Sequence, residues 1–312
     1  MTPALQVLAW LALAGSGQQV YSLAWQPGGA TIALGGYKEV RLVDAASGNL
    51  LVTLPGEADA VRAVAFSRDG KMLAAAGGLP ARRGEVKIWD AATRTLSTTI
   101  TGHSDCIYAA AFSPDGAMLA TASYDKLIKL WDVRTAKEIR TLRDHIDAVY
   151  ALAFTPDGAR LVSGAADRSV KIWNVATGDR LYTLSGPTDG INTIALSPDG
   201  TRVAAGGFDK TIRVWRLGEK EGTLENSLIA HEDTILRLAW SPDGSLLASS
   251  AADRTIKLFR AADLTEVRTI ANLPDWAFGL EFAPNGQQLA AASFNGLLTT
   301  YEVDHAKSPP SK

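Results

Sequence analysis

Short runs of strand-forming residues alternate with turn residues along the whole chain. The stretch from Val149 to Gly186 is the clearest example, with apolar runs at 149–154, 159–165, 170–175 and 180–184. The segment Thr155-Pro156-Asp157-Gly158 reverses the chain after the first run, because proline fixes φ and glycine allows a positive φ. Since the connections are too short for helical crossovers, the pattern predicts an antiparallel meander of four strands.

This four-strand unit recurs at a nearly constant period. The position of Pro156 belongs to the series Pro27, Arg68, Pro114, Pro156, Pro198, Pro242 and Pro284, with spacings of 41, 46, 42, 42, 44 and 42 residues. A period of this size with four strands in each unit is typical of a β-propeller, in which every unit forms one blade. The seven positions of this series predict seven blades.

The predicted fold is therefore all-β, a seven-bladed β-propeller built from four-stranded antiparallel blades. We expect a single domain over residues 1–306 and a polar tail at 307–312. The predicted blades are residues 20–54, 61–100, 107–142, 149–184, 191–229, 235–270 and 277–303.

The last unit lacks a fourth strand, because only polar residues follow its third apolar run. If Val20 is aligned with Val149, then Trp10 falls on Ile139, a fourth-strand position of the fourth unit. We therefore expect residues 8–14 to complete the last blade and close the ring. Such a strand would cover an apolar edge that otherwise invites aggregation.

The same N-terminal region also has an alternative interpretation as a secretory signal. An apolar run from Ala4 to Ala14 is followed by small residues, but no lysine or arginine precedes it. A signal peptide normally begins with a positively charged region. The run is also too short to span a bilayer. The sequence favours the closing strand, because only this interpretation completes the repeat.

Short sequence motifs recur at fixed offsets within the units. In the third unit, Gly102-His103 precedes a strand, Ser123-Tyr124-Asp125 lies at a turn, and Trp131-Asp132 ends the third strand. Because these motifs recur in phase with the repeat, the chain resembles the WD40 repeat family over roughly residues 8 to 304. The resemblance implies a structural hydrogen-bonded tetrad, formed here by His103, Ser123, Asp125 and Trp131.

The residue types of this tetrad are also those of a nucleophilic triad. We favour the structural role, because no glycine-flanked serine elbow or separate oxyanion site accompanies Ser123. Partial copies in other units point the same way, since one catalytic triad would not need them. By this alignment the fourth unit has Ala165 at the serine position, the fifth has Pro187 at the histidine position, and the sixth has Ala251 and Phe259.

Composition excludes several classes of partner and ligand. The 312 residues carry 31 basic and 33 acidic side chains, a net charge of −2, so neither nucleic acid nor an anionic membrane is expected as the main partner, and no membrane insertion is expected. Cys106 is the single cysteine, which excludes an intramolecular disulfide and favours a cytoplasmic location over export without deciding it. No metal-ligand spacing or phosphate loop is present, so no metal or cofactor is predicted.

The surface offers the best candidate for function. In a four-stranded meander, the loops between second and third strands emerge at the same end as the connections between blades. That end collects the predicted partner-binding residues Tyr37, Arg82, Arg83, Tyr124, Phe208, Trp276 and Phe294. The WD40 resemblance implies that this end is the usual partner-binding face, and exposed aromatic and arginine side chains are typical of binding centres. The alternative is that these rings only cover their own turns.

We therefore predict a non-enzymatic scaffold that presents this face to a protein or peptide, as a monomer. One alternative is an enzyme, or a small-ligand or metal site, at the mouth of the central channel, because fold does not determine function. Another is a propeller module of a larger exported bacterial protein with a redox role. The insertion GGLPARRGE at 77–85 resembles that of WD40 modules attached to exported cytochrome-like proteins.

Overall fold

The computed structural model describes residues 18–303, with the backbone alone of residues 57 and 58. This part of the chain contains 25 β-strands and no helix. No described segment is therefore a helix of the length and apolar character needed to cross a membrane. The predicted closing strand at 8–14 and the tail at 307–312 lie outside the described residues.

The strands are β1 (Val20–Trp25), β2 (Thr31–Asp44), β3 (Leu50–Phe66), β4 (Met72–Leu79), β5 (Arg83–Asp90), β6 (Leu96–His103), β7 (Ile107–Phe112), β8 (Met118–Ser123), β9 (Ile128–Asp132), β10 (Lys137–Leu142), β11 (Val149–Phe154), β12 (Arg160–Ala165), β13 (Val170–Asn174), β14 (Arg180–Leu184), β15 (Ile191–Leu196), β16 (Arg202–Gly207), β17 (Thr211–Leu217), β18 (Gly222–Ile229), β19 (Ile235–Trp240), β20 (Leu246–Ala251), β21 (Ile256–Arg260), β22 (Glu266–Ile270), β23 (Ala277–Phe282), β24 (Gln288–Ser293) and β25 (Leu298–Glu302).

Most of these strands form separate antiparallel meanders. Strands β7–β10, β11–β14, β15–β18 and β19–β22 each make a four-stranded sheet in chain order, and β23–β25 make a three-stranded sheet. Every pairing is antiparallel, as in the register of Val149 with Ala165 and Phe154 with Leu161. The prediction of an all-β fold with repeated four-stranded antiparallel sheets is confirmed.

The first six strands form one continuous sheet, but they contain two of the repeating units. A straight strand of the length of β2 would separate its ends by roughly 45 Å. Instead, the Ala45 amide donates to the Ala30 carbonyl at 2.9 Å, so β2 doubles back on itself. Lys38, with φ of 63°, lies at the reversal. The first part of β3 pairs with β2 and its second part with β4, which joins the two units.

The first strands of successive units contact one another, with the second part of β3 acting as the first strand of the second unit. In chain order, β3, β7, β11, β15, β19 and β23 each contact the next, and β1 contacts both β3 and β23. At the last of these contacts, the Trp25 backbone amide donates to Glu281 Oε2 at 2.9 Å, and its indole Nε1 donates to the Glu281 carbonyl at 3.3 Å. One apolar cluster, which includes Val20, Leu34 and Ala290, is shared between the first and last units.

Candidate functional site

The predicted tetrad is present as a hydrogen-bonded chain, but one of its members differs. Trp131 Nε1 donates to Thr121 Oγ1 at 2.8 Å, and the same oxygen lies 2.8 Å from His103 Nε2. His103 Nδ1 lies 2.9 Å from Asp125 Oδ2. The assignment of Ser123 was wrong, because its hydroxyl instead donates to the Asp105 carbonyl and accepts from the Asp125 amide, each at 3.1 Å.

The error has a geometric reason. Positions 121 and 123 lie two residues apart on β8, so their side chains project from the same face of the sheet. Trp131 pairs with Leu119 across the sheet, and its indole reaches Thr121, the nearer of the two hydroxyls. Ser123 ends the strand and bonds the neighbouring turn instead. Because Ser123 has no hydrogen bond to His103, the nucleophilic triad has no geometric support here.

The fourth unit, strands β11–β14, carries the complete chain as well, which corrects the expected loss at Ala165. Ser163 accepts from Trp173 Nε1 at 2.8 Å and lies 2.8 Å from His145 Nε2, while His145 Nδ1 lies 2.8 Å from Asp167. The alanine lies at the position equivalent to Ser123 and is not part of the chain.

The sixth and fifth units, strands β19–β22 and β15–β18, retain parts of this arrangement. In the sixth, Ser249 lies 2.6 Å from His231 Nε2, so Ala251 does not interrupt the chain, and Phe259 replaces only the tryptophan. In the fifth, where Pro187 follows the last strand of the preceding sheet, Asp209 accepts from the Thr188 amide at 3.0 Å and from Arg213 Nη1 at 2.6 Å.

Electrostatics in these chains favour a fixed, structural state. Burial opposes ionisation of Asp125, but the hydrogen bond and charge of His103, together with backbone N–H donors, outweigh it and lower the pKa of the carboxyl group. The pKa of Asp167 is lowered for the same reason. Burial also lowers the pKa of His231, despite the opposing effect of Asp253. These groups are paired inside the sheets, where they orient loops rather than meet a ligand.

A different set of residues lines a cavity where the first strands of the units come together. Every first strand of a unit has a register shift after its first residue, so the second residue is unpaired, as in a β-bulge. Bulges re-aim side chains. The seven bulged residues are Tyr21, Arg62, Tyr108, Tyr150, Asn192, Leu236 and Phe278. All seven line a single cavity of about 360 Å³, together with Phe208, Thr234, Arg237 and Phe294.

Aromatic rings in and around this cavity form two groups joined by an arginine. On one side, the Tyr108 ring lies 5.0 Å from Tyr150 and 6.2 Å from Tyr124. On the other, Phe294 lies 5.7 Å from Tyr21. The Arg62 guanidinium lies 4.7 Å from the Tyr108 ring centre and 5.9 Å from that of Tyr21, which links the two groups by cation–π contacts.

Most of the predicted aromatic residues are exposed near this cavity. Tyr37, Tyr124, Phe208 and Trp276 are between 45% and 49% exposed, while Phe294 is partly buried in the cavity wall. Trp276 lies 6.2 Å from Phe278, a bulged residue, and Phe278 lies 5.8 Å from Phe294. Phe208 lines the cavity itself.

Five of the seven predicted residues do not line the cavity itself. Tyr124 and Trp276 contact residues of its wall, and the other three are Tyr37, Arg82 and Arg83. Tyr37 contacts Lys38, whose Nζ lies 5.0 Å from the centre of its ring. Arg82 and Arg83 are exposed at the turn between β4 and β5, and Arg83 lies 3.7 Å from Glu85. The structure therefore places these three side chains on the surface without bringing them to the cavity wall.

Sequence reasoning missed the bulged residues and one exposed aliphatic side chain. The bulged residues recur six positions before the turn residue of each unit, with the same spacings. Their positions could therefore have been located from the sequence. Because these seven residues differ in chemical type, no common residue marks the position. Ile146, in the connection between β10 and β11, is 78% exposed and was also not predicted.

No group of three histidine, cysteine, aspartate or glutamate side chains within residues 18–303 is arranged to hold a metal ion. The cavity wall described above contains none of these residue types.

A phased all-β repeat with this hydrogen-bonded chain defines a class of repeat protein, and sequence comparison identifies the family. The model for the WD domain, G-beta repeat, matches residues 48–90, 94–132, 136–174, 178–216 and 222–260. Since these matches cover well over half of the chain, the protein belongs to the WD40 family, which confirms the resemblance. Comparison with curated protein sequences found no match.

The matched stretches are offset from the sheets. Each begins before the last strand of one unit and ends at the third strand of the next, as in 136–174, which spans β10 to β13. Each sequence repeat therefore includes strands of two units and ties neighbouring units together.

Proposed function

We propose that the seven units form one closed seven-bladed propeller within a single domain, and that its mouth face binds a protein or peptide without catalysis. The observation that carries the binding proposal is the convergence of all seven bulged residues on one cavity surrounded by exposed aromatic rings. Interaction with proteins is the general role of WD40 domains, which supports the same conclusion.

Closure is supported by the contacts of the first and last units. Strand β1 contacts β23, Trp25 bonds Glu281 at two points, and the Val20 amide donates to the Phe294 carbonyl at 3.3 Å. Residues 8–14 remain our candidate for the fourth strand of the last blade. The blade ranges given above are retained as part of this proposal.

The contact face is proposed to consist of Tyr37, Arg82, Arg83, Tyr124, Phe208, Trp276 and Phe294. Within it, Tyr124, Phe208 and Trp276 adjoin the cavity and present nearly half of their surface to solvent. Partly exposed aromatic side chains around a pocket are suited to bury apolar groups of a partner while retaining polar contacts.

A non-enzymatic role fits the lining of the cavity, which combines aromatic, aliphatic, amide and arginine side chains. The near-neutral charge of the chain supports a protein partner over nucleic acid. We propose that the domain acts as a monomer, with its mouth face as the contact surface.

The triple substitution of Tyr124, Phe208 and Trp276 by alanine is expected to reduce partner capture at least tenfold. These side chains are exposed, so their loss removes contact area while changing stability by only about 1 kcal/mol. Capture is measured by pull-down from native lysate with quantitative mass spectrometry, together with the melting temperature of each variant.

A matched control replaces Leu96, Ile139 and Val267 by alanine. These residues are similarly exposed but lie in β6, β10 and β22, the last strands of their sheets. Capture by this variant should equal that of the wild type. Equal capture by the mouth variant, or equal loss in both triple variants, would remove the mouth face from the proposal.

A further inference from the structure

Two guanidinium groups line the mouth cavity without an acidic partner. They belong to Arg62 and Arg237, and among the described residues no carboxylate oxygen lies within 4.0 Å of either group. Unpaired cations in a partly enclosed site are expected to attract an anion, because the pairing offsets the cost of removing the cation from water.

Arg237 is held in a position that leaves its outer donors free. Its Nε donates to the Phe278 carbonyl at 2.7 Å, which fixes the side chain across the seam between β19 and β23. Its two Nη groups have no partner among the described protein atoms and are open to the cavity. Burial lowers the pKa of Arg237, so a nearby anion would restore stability to the charged form.

Arg62 is held mainly by two aromatic rings, and its side chain also interacts with the Cys106 thiol. Its guanidinium packs against the faces of Tyr108 and Tyr21, and no ion pair to it exists in the described chain. A guanidinium stacked in this way keeps its in-plane N–H donors available for a carboxylate. Tyr108 and Tyr21 therefore orient the charge without using its hydrogen-bonding capacity.

The phenol groups of the wall add neutral donors. Burial raises the pKa of Tyr150 to about 12 and also raises that of Tyr108, so both hydroxyl groups remain protonated at neutral pH. Neither hydroxyl has a hydrogen-bond partner among residues 18–303. They can therefore donate to an anion that enters the same cavity.

The aspartates near this cavity form no ion pair with Arg62 or Arg237 among the described residues, and none of them lines its wall. Each is tied to the turn that precedes a first strand, where it accepts from the amide of the next residue at 2.6–2.8 Å. These aspartates are Asp105, Asp147, Asp189, Asp233 and Asp275. Asp59 is close enough to raise the pKa of Tyr21, after the larger effect of burial, but it forms no ion pair with Arg62. The cavity itself thus remains cationic.

On the basis of the peptide-binding function above, we propose that the cavity takes a peptide carboxylate, which pairs with Arg62 and Arg237 while the surrounding rings pack against an adjacent apolar side chain. The volume of about 360 Å³ accommodates one or two side chains, and the exposed Tyr124, Phe208 and Trp276 provide a path for the rest of the peptide. The carboxylate could belong to an acidic side chain or to a C-terminus.

The test is selection from a random dodecapeptide library displayed in two formats, one with both ends blocked and one with a free C-terminal carboxylate. The bait is the full chain, with Arg62→Gln and Arg237→Gln as separate counter-baits. Arg237→Gln also removes the hydrogen bond from Arg237 Nε to the Phe278 carbonyl, so Arg62→Gln is the cleaner variant. The melting temperatures of both variants are measured to verify folding.

The expected result is enrichment of acidic residues next to aromatic or aliphatic ones, or of free C-termini, with at least tenfold weaker binding to Arg62→Gln. A selected peptide whose carboxylate is replaced by an amide should lose a similar factor in isothermal titration calorimetry. Enrichment in the blocked format assigns an acidic side chain, and enrichment only in the free format assigns a C-terminus.

Two other outcomes are informative in different ways. If peptides are enriched without a carboxylate, or bind Arg62→Gln and Arg237→Gln as tightly as the wild type, the carboxylate site is wrong while the peptide-binding function stands. If neither format yields a peptide that depends on Tyr124, Phe208 or Trp276, both the proposed function and this site are contradicted.

Discussion

Replacement of Thr121 by valine is expected to lower the free energy of unfolding by about 2–4 kcal/mol. Valine has nearly the same shape as threonine but lacks the hydroxyl group. The substitution therefore leaves His103 Nε2 and Trp131 Nε1 without their shared partner in a fully buried site. Equilibrium urea unfolding, with the midpoint and slope of the transition compared between variants, measures the loss.

Three substitutions make this result specific. Thr121→Ser should retain most of the stability, since the fourth unit uses Ser163 in the same role. Ser123→Ala should cost about 1 kcal/mol, because its partners lie at a turn where water replaces them. Thr183→Val, at an exposed position of β14, should change stability by less than about 0.5 kcal/mol. A larger loss for Ser123→Ala than for Thr121→Val would restore the tetrad predicted from sequence.

Glu281 is expected to make stability decrease as the pH rises from about 4.5 to 7. Burial raises the pKa of this carboxyl group from 4.5 to about 7, despite the hydrogen bond from the Trp25 amide. The folded state therefore binds the proton more tightly than the unfolded state. Its contribution is fully present below pH 4.5 and is lost as the pH rises through 7, by roughly 3 kcal/mol in total.

Glu281→Gln isolates this effect, because the amide is neutral at every pH and its oxygen can still accept from Trp25. The variant should match the wild type near pH 4.5 and exceed its stability by roughly 3 kcal/mol at pH 8. Urea unfolding across this range measures the difference. A difference that stays constant with pH would show that Glu281 does not titrate abnormally at this seam.

The strands and their phase were predictable from sequence because their signals are local. Turns such as Thr155-Pro156-Asp157-Gly158 reverse the chain wherever they occur, and short apolar runs between them leave no room for helices. The spacing of 46 residues between Arg68 and Pro114 is longer than the others because the insertion at 77–85 lies between them. The closing strand at 8–14 stays a prediction.

The site was only partly predictable, for two physical reasons. Which hydroxyl reaches Trp131 depends on side-chain reach across the sheet, and Thr121 and Ser123 share one face. The cavity lining depends on a bulge that has no common residue, since Tyr21, Arg62 and Asn192 occupy equivalent positions. The exposed rings were predicted at turns, but Arg62 and Arg237 line one cavity only because units distant in sequence pack together.

Photo-cross-linking from position 21 tests the closure of the ring most directly. In a closed propeller, p-benzoylphenylalanine in place of Tyr21 meets the last unit, because the native ring lies 5.7 Å from that of Phe294. Irradiation should join β1 to a peptide that contains Phe278 or Phe294, whereas the same probe at Tyr124 should not. If the probe at position 21 reacts only within the first two units, the first and last sheets do not meet and the shared mouth does not form.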